Sequence, residues 1–321
     1  MVYKTEKCEA IIKSEFFRKL GLWVLLSLGI SLGLIRDFWG NALTVFSPNY
    51  VFGQFHAAPL GILALCLVWL YLKRQDIWEG MKPCESMKLG STYKRMPFGI
   101  ALIVAAVLMP SSLDFLIFQS LLASLGTFVV LFGRAAKIPL IILVIYGLAI
   151  SFPLFIQEFA EGVYARAAIV PLVWLLTAFG LPMESQGLLI HLTSSGGEPI
   201  TAAVTAACAG PVTMGVFIAL FALMMLDIPL PPKRAAVLFL LGALGTWFQS
   251  FLRLIILMLV GYFWGEDALW TAHRYSVYIL FPLWYLFFAY IYFRQVRNLP
   301  KGLNSDHASH SIKVEAEPDE A

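Results

Sequence analysis

Three residues in the second half of the chain carry groups able to do nucleophilic chemistry: the thiol of Cys208, the guanidinium of Arg253 and the imidazole of His273. Cys208 stands in the run Ala206-Ala207-Cys208-Ala209-Gly210-Pro211, just ahead of the apolar stretch Met214 to Leu226. Proline suits the first position of a helix, where its missing N–H costs nothing, so a helix is expected from Pro211 with the thiol shortly before its N-terminus. The positive end of a helix lowers the pKa of a nearby thiol and favours the nucleophilic thiolate, whereas a lone cysteine among alanines otherwise packs as a small hydrophobe. In such a set an imidazole takes the thiol proton, the thiolate attacks a carbonyl, and the imidazolium returns the proton to a leaving amine. Arginine supplies fixed positive charge for the thiolate or the tetrahedral oxyanion. The chemistry indicated is acyl transfer or peptide cleavage.

The elements that must position these groups belong to a membrane. With 321 residues, 60% hydrophobic, 13% charged and a mean hydropathy of +0.79, the chain is too apolar for a water-soluble domain and reads as an all-α polytopic membrane protein. Net charge is only +3 and the basic residues sit in short loops, so nucleic acid is not indicated as a partner. Cys8, Cys66, Cys84 and Cys208 show no spacing of the metal-binding or disulfide kind, so neither a metal nor a cofactor is expected. The first apolar run, Leu20 to Ile35, follows a basic tail without a small-residue cleavage site and is expected to be a retained helix.

Basic residues set the expected topology. Lys4, Lys7, Lys13, Arg18 and Lys19 hold the amino terminus in the cytoplasm, Lys73 to Arg95 form one inner loop, and Arg134 with Lys137 and Lys233 with Arg234 mark two more. Crossings are expected at Leu20 to Ile35, Pro59 to Leu72, Phe98 to Met109, Leu113 to Phe132, Ile138 to Phe155, Val212 to Leu226, Ala235 to Trp264 and Tyr275 to Phe293, about eight in all. Ala167 to Phe179 has about 13 residues, roughly 20 Å of helix against a core of about 30 Å, and is expected to lie at the interface or re-enter. Leu188 to Thr193 and Ile200 to Ala207, joined by a Gly-containing turn, should form a small outer hairpin. The expected divisions are 1–155 for amino-terminal membrane helices, 156–210 for the outer segment, 211–298 for the catalytic helices and 299–321 for a disordered cytoplasmic tail.

In this topology Cys208, Arg253 and His273 approach the same outer surface. Arg253 lies about 18 residues, roughly 27 Å, from the inner end of its helix, and shares one face with Thr246, Gln249 and Ser250. Lipid does not solvate such a stripe, so it should face protein; the alternative for Arg253 is a stem that snorkels to the headgroups. Gly265 to Thr271 should be a short outer turn with His273 at the head of the last helix. His56 and His191 are further outward imidazoles, while His307 and His310 in the tail have no evident role.

These residues resemble the exosortase and archaeosortase family of membrane-embedded, transpeptidase-like enzymes. Ala207-Cys208-Ala209-Gly210 is similar to the family's Ala-Cys-Ser-Gly signature, Phe251-Leu252-Arg253-Leu254 to its Asn-x-x-Arg helix, and Ala272-His273-Arg274-Tyr275 to its histidine segment. Ala209 replaces the common serine and Ser250 stands where asparagine is usual. The resemblance covers roughly Phe152 to Phe293. It implies a cysteine peptidase or transpeptidase with Cys208 as nucleophile, His273 as general acid–base and Arg253 as stabilising charge. Its substrates would be secreted proteins ending in a short motif, one membrane helix and a basic cluster, and a lipid amine is a candidate acceptor. Two other classes compete: a transporter using Arg253 as an anion site, which would need a polar path and shows no inverted repeat, and a non-catalytic membrane scaffold in which Cys208 is replaceable.

Overall fold

The computed structural model describes residues 2–35, 41, 44, 47, 57–81, 96–109, 113–205 and 210–298. Their main helices are α1 (Val2–Gly33), α2 (Ala57–Leu72), α3 (Arg74–Met81), α4 (Met96–Leu108), α5 (Leu113–Phe132), α6 (Lys137–Ala178), α7 (Pro211–Asp227), α8 (Pro232–Trp264) and α9 (Glu266–Arg297). Three short strands, β1 (Met183–Gln186), β2 (Leu189–Thr193) and β3 (Pro199–Ala203), intervene between α6 and α7. Among the described residues, α6, α8 and α9 are long and apolar enough to cross a membrane, and four shorter apolar helices accompany them. The chain is a multi-pass helical membrane protein. It divides into two compact units, one of residues 1–161 and 211–223, the other of residues 162–210 and 224–321.

In the first unit, α4 and α5 cross at paired glycines. A Cβ on Gly99 would stand 2.8 Å from the Gly126 carbonyl oxygen, and one on Gly126 equally close to the Gly99 oxygen. Small residues are what allow helix backbones to approach in lipid, where no hydrophobic force drives helices together. Polar side chains add to the packing of α1 on α5: Trp23 Nε1 donates to the Ser124 carbonyl at 2.9 Å, and the hydroxyls of Ser27 and Thr127 lie 2.9 Å apart.

The second unit holds the sheet and the α8–α9 hairpin. β1 and β3 each pair antiparallel with β2. Period-two alternation decides which face is buried: Ile190 and Leu192 on β2 pair with Ala202 and Ile200 on β3, and all four are buried. That face packs into one core with Ala168, Leu172 and Leu176 of α6 and Leu254, Leu257 and Met258 of α8. The backbone N–H of Ser195, in the β2–β3 turn, donates to the Tyr262 carbonyl of α8 at 2.8 Å and ties the sheet to that helix. The expected hairpin is therefore present, with a third strand, Met183–Gln186, that weak alternation in Met-Glu-Ser-Gln had hidden.

Two helix boundaries differ from expectation. α6 runs unbroken from Lys137 to Ala178, so the segment from Ala167 is the end of a long helix and not a separate interfacial one. Glu158 and Glu161 mark polarity, but the residues around them are mostly good helix formers, and charge alone does not end a helix. What ends it is Gly180 at φ 84°: Leu181 N–H bonds the Leu176 carbonyl and Gly180 N–H that of Thr177, a Schellman closure that buries Leu181 beside Leu176. The second difference is at the last helix. Gly265, at φ 84° and ψ −177°, is the whole turn between α8 and α9, and α9 begins at once with Glu266 and Asp267, whose charges suit a helix N-terminus. The segment expected as an outer turn is helical, and His273 lies two turns inside α9.

α8 and α9 pack with Trp284 laid across Gly245, where an added Cβ would collide with the indole ring. Gly245→Val should therefore lower the thermal stability of the detergent-solubilised protein by about 1–3 kcal/mol, the usual cost of overpacking, while Leu244→Val at an exposed neighbour should change it little. Thermal unfolding of the two variants checks the contact.

Candidate functional site

α8 is polar where a soluble helix would be apolar. Leu240, Leu244 and Phe248 form its exposed stripe, whereas Thr246, Gln249, Ser250 and Arg253 are buried. The stripe thus faces protein, as the spacing predicts. Its members are satisfied in different ways. Thr246 Oγ1 donates to the Gly242 carbonyl at 2.8 Å and accepts from Trp284 Nε1 at 3.0 Å, and Ser250 Oγ donates to the Thr246 carbonyl at 3.0 Å. These are back-bonds that a helix offers its own serines and threonines.

Arg253 is bound by the neighbouring helix. Its Nε donates to Ser276 Oγ at 3.0 Å, and its Nη2 donates to the His273 carbonyl at 3.0 Å and lies 3.3 Å from His273 Nδ1. Arg253 is only 6% exposed, so its guanidinium is held between helices and does not snorkel. The planar fork of arginine suits this set of contacts as a lysine ammonium would not. The guanidinium has no acceptor, so in the contact with His273 the ring Nδ1 must accept, which puts the ring proton on Nε2. At 3.3 Å this is the weakest of the three bonds. Trp270 meets the imidazole edge-on with centroids 5.7 Å apart and fixes a second side of the ring.

Of the three residues singled out for chemistry, two are thus brought together across 20 positions of sequence. Cys208 and His56 lie outside the described residues. Gly210, two positions after Cys208, is the N-cap of α7 at φ 114°, and Pro211 takes the first helical position as its type predicts. His191 belongs elsewhere: its Nδ1 lies 3.0 Å from Thr201 Oγ1, a cross-strand pair on the face of the sheet opposite the core residues. Ser276 and Trp284 escape a reading of the sequence. A helix that begins at Tyr275 gives no reason to group Ser276 with His273, whereas a helix from Glu266 puts them three apart on one face.

A family model described as transmembrane exosortase matches residues 53–290. The chain belongs to the transmembrane exosortase family. The match spans Cys208, Arg253 and His273, and reaches well ahead of the part of the chain that the motifs alone cover. Neither the curated proteins nor the solved structures contain a match. Membership in this family points to a membrane enzyme of protein sorting or processing, and the Arg253–His273 pair is the one cluster of this exosortase's described residues in which a buried cation meets an imidazole.

The geometry predicts the tautomer. In histidine-labelled exosortase above neutral pH, the nitrogen resonance of His273 Nδ1, assigned by its loss in His273→Gln, should show an unprotonated, hydrogen-bonded nitrogen. Arg253→Leu should shift it. A protonated Nδ1 in the unaltered protein would contradict the contact.

Proposed function

We propose that this exosortase is a cysteine peptidase or transpeptidase that cuts the carboxy-terminal sorting signal of secreted proteins at the outer face of the cell membrane. The observation that carries the reading is the pairing of buried Arg253 with His273 in a chain of this family, since catalysis at a thiol needs a proton carrier and a fixed positive charge. Orientation follows from basic residues. Lys233 and Arg234 open α8 and Arg294 and Arg297 close α9, and the positive-inside rule supports cytoplasmic ends there, with Arg253 and His273 in the outer half.

The steps follow from the groups available. Cys208 gives its proton to His273 and its sulfur bonds to the carbonyl carbon of the scissile peptide. For the imidazole to accept at Nδ1, Arg253 must release that nitrogen. The bond released is the long one, while the bonds to Ser276 and to the His273 carbonyl keep the guanidinium in place. The Nη2 N–H released by Nδ1 is then available to the oxyanion, while the other Nη2 N–H keeps its bond to the His273 carbonyl. Collapse of the tetrahedral intermediate breaks the C–N bond, and the imidazolium protonates the leaving amine. The acyl-enzyme passes to an acceptor, water or a lipid amine, whose proton returns through His273. The substrate class of this reading is a protein with a terminal membrane helix and a basic cluster.

Co-expression with secreted proteins that bear such a terminus, followed by intact-mass measurement, tests it. Processing should be lost in Cys208→Ala and should fall by about 10²–10⁴-fold in His273→Gln, at equal amounts of enzyme in the membrane. Equal processing by the Cys208→Ala protein would remove Cys208 as the nucleophile and return the transporter and scaffold readings.

A further inference from the structure

Among the described residues, one member of the polar stripe on α8 has no hydrogen-bond partner. Gln249 is 7% exposed, and neither its Nε2 nor its Oε1 makes a hydrogen bond. Its neighbours on the stripe are all satisfied: Thr246 by Trp284 and its own helix, Ser250 by its own helix, Arg253 by α9. A carboxamide buried in a membrane protein without partners is costly, because hydrocarbon offers it nothing and a leucine of similar size would cost less. Such a group is explained by a ligand that supplies both halves of the missing pairing.

We infer that Gln249 binds the main chain of the substrate, on the membrane side of the bond that is cut. The inference rests on the function proposed above. A carboxamide presents one acceptor and N–H donors, and the complement of that pair is the backbone N–H and C=O of one residue in an extended chain, which point to the same side. A peptide unit inside a helix spends its N–H and C=O on its own ladder, so Gln249 can engage only an extended or unwound stretch. That is also the conformation in which a carbonyl is open to a thiolate. Gln249 precedes Arg253 by one helical turn, about 6 Å along the axis toward the end that carries Lys233 and Arg234. A substrate whose basic cluster lies in the cytoplasm would therefore meet Gln249 with residues that follow the scissile bond. Gln249 is a positioning residue: it holds the first residues of the terminal helix unwound while the groups one turn above act.

The probe is a secreted reporter that ends in an apolar helix and a Lys/Arg cluster and is processed by the unaltered exosortase in membranes. Gln249→Leu should raise KM for this reporter by about 5- to 100-fold, the loss expected for a pair of neutral hydrogen bonds, with kcat less affected and the unfolding temperature unchanged or higher. Gln249→Asn should recover part of the loss. Independently of turnover, a photo-crosslinking residue at position 249 in the Cys208→Ala protein should capture reporter residues just after the cut, and one at lipid-facing position 244 should not. Unchanged KM in Gln249→Leu together with no crosslink at 249 overturns the inference and leaves a water or lipid as the partner. If Cys208→Ala still processes the reporter while position 249 crosslinks to it, the proposed nucleophile fails and the substrate contact stands.

Discussion

A guanidinium cannot be left in hydrocarbon, and the α8–α9 hairpin is built around that fact. Insertion of arginine into the middle of a membrane helix costs about 2.5–3.5 kcal/mol, which a second helix offsets if it presents acceptors at the right height. α9 does so with Ser276 and with the carbonyl and Nδ1 of His273. The one-residue turn at Gly265 follows from the same need. A longer connection would let α9 slide against α8, whereas a single glycine at φ 84° fixes where the acceptors of α9 fall. Gly245 and Trp284 set the same register farther down, with the indole lying over the glycine and donating to Thr246.

The sheet belongs to the same unit. Its apolar face is too small to be stable alone, since two or three short strands need a partner surface. It finds one in the last turns of α6 and the carboxy-terminal half of α8, where Leu172, Leu176, Leu254 and Leu257 meet Ile190, Leu192 and Ile200. β3 ends at Ala203, and the Val204 N–H extends the ladder to Leu188 before the chain leads on to Cys208 five residues after the strand. The segment that carries the thiol thus leaves a sheet that is itself bonded to α8 through Ser195 and Tyr262.

Inside-out patterning links these observations to chemistry. On α8 the lipid side is Leu240, Leu244 and Phe248, and the protein side holds the residues a reaction could use. A soluble enzyme shields a reactive site with an apolar core. A membrane enzyme has apolar solvent on the outside, so its polar groups collect between helices, where low dielectric strengthens each contact and makes any unmet group costly.

Much of this was legible from residue types. Composition settles the membrane, Pro211 the start of α7, the i, i+3, i+4 spacing of Thr246 to Arg253 the polar face, and the Gly-containing turn between two short apolar runs the hairpin, because each depends on local period or on backbone chemistry that a few residues dictate. The motifs at Cys208, Arg253 and His273 also pointed to the family. Where helices end was less legible: the crossing expected to end at Phe155 runs on past Glu158 and Glu161 to Ala178, and the Gly265 turn was read as seven residues long, because turns are decided by single positive-φ positions and by what packs beyond them. Only the tertiary structure decided that Arg253 meets Ser276 and His273, that Trp284 covers Gly245, and that Gln249 alone of its stripe makes no hydrogen bond among the described residues. Those facts depend on the register between two helices, which is set by the fit of side chains from both and is written in neither sequence segment by itself.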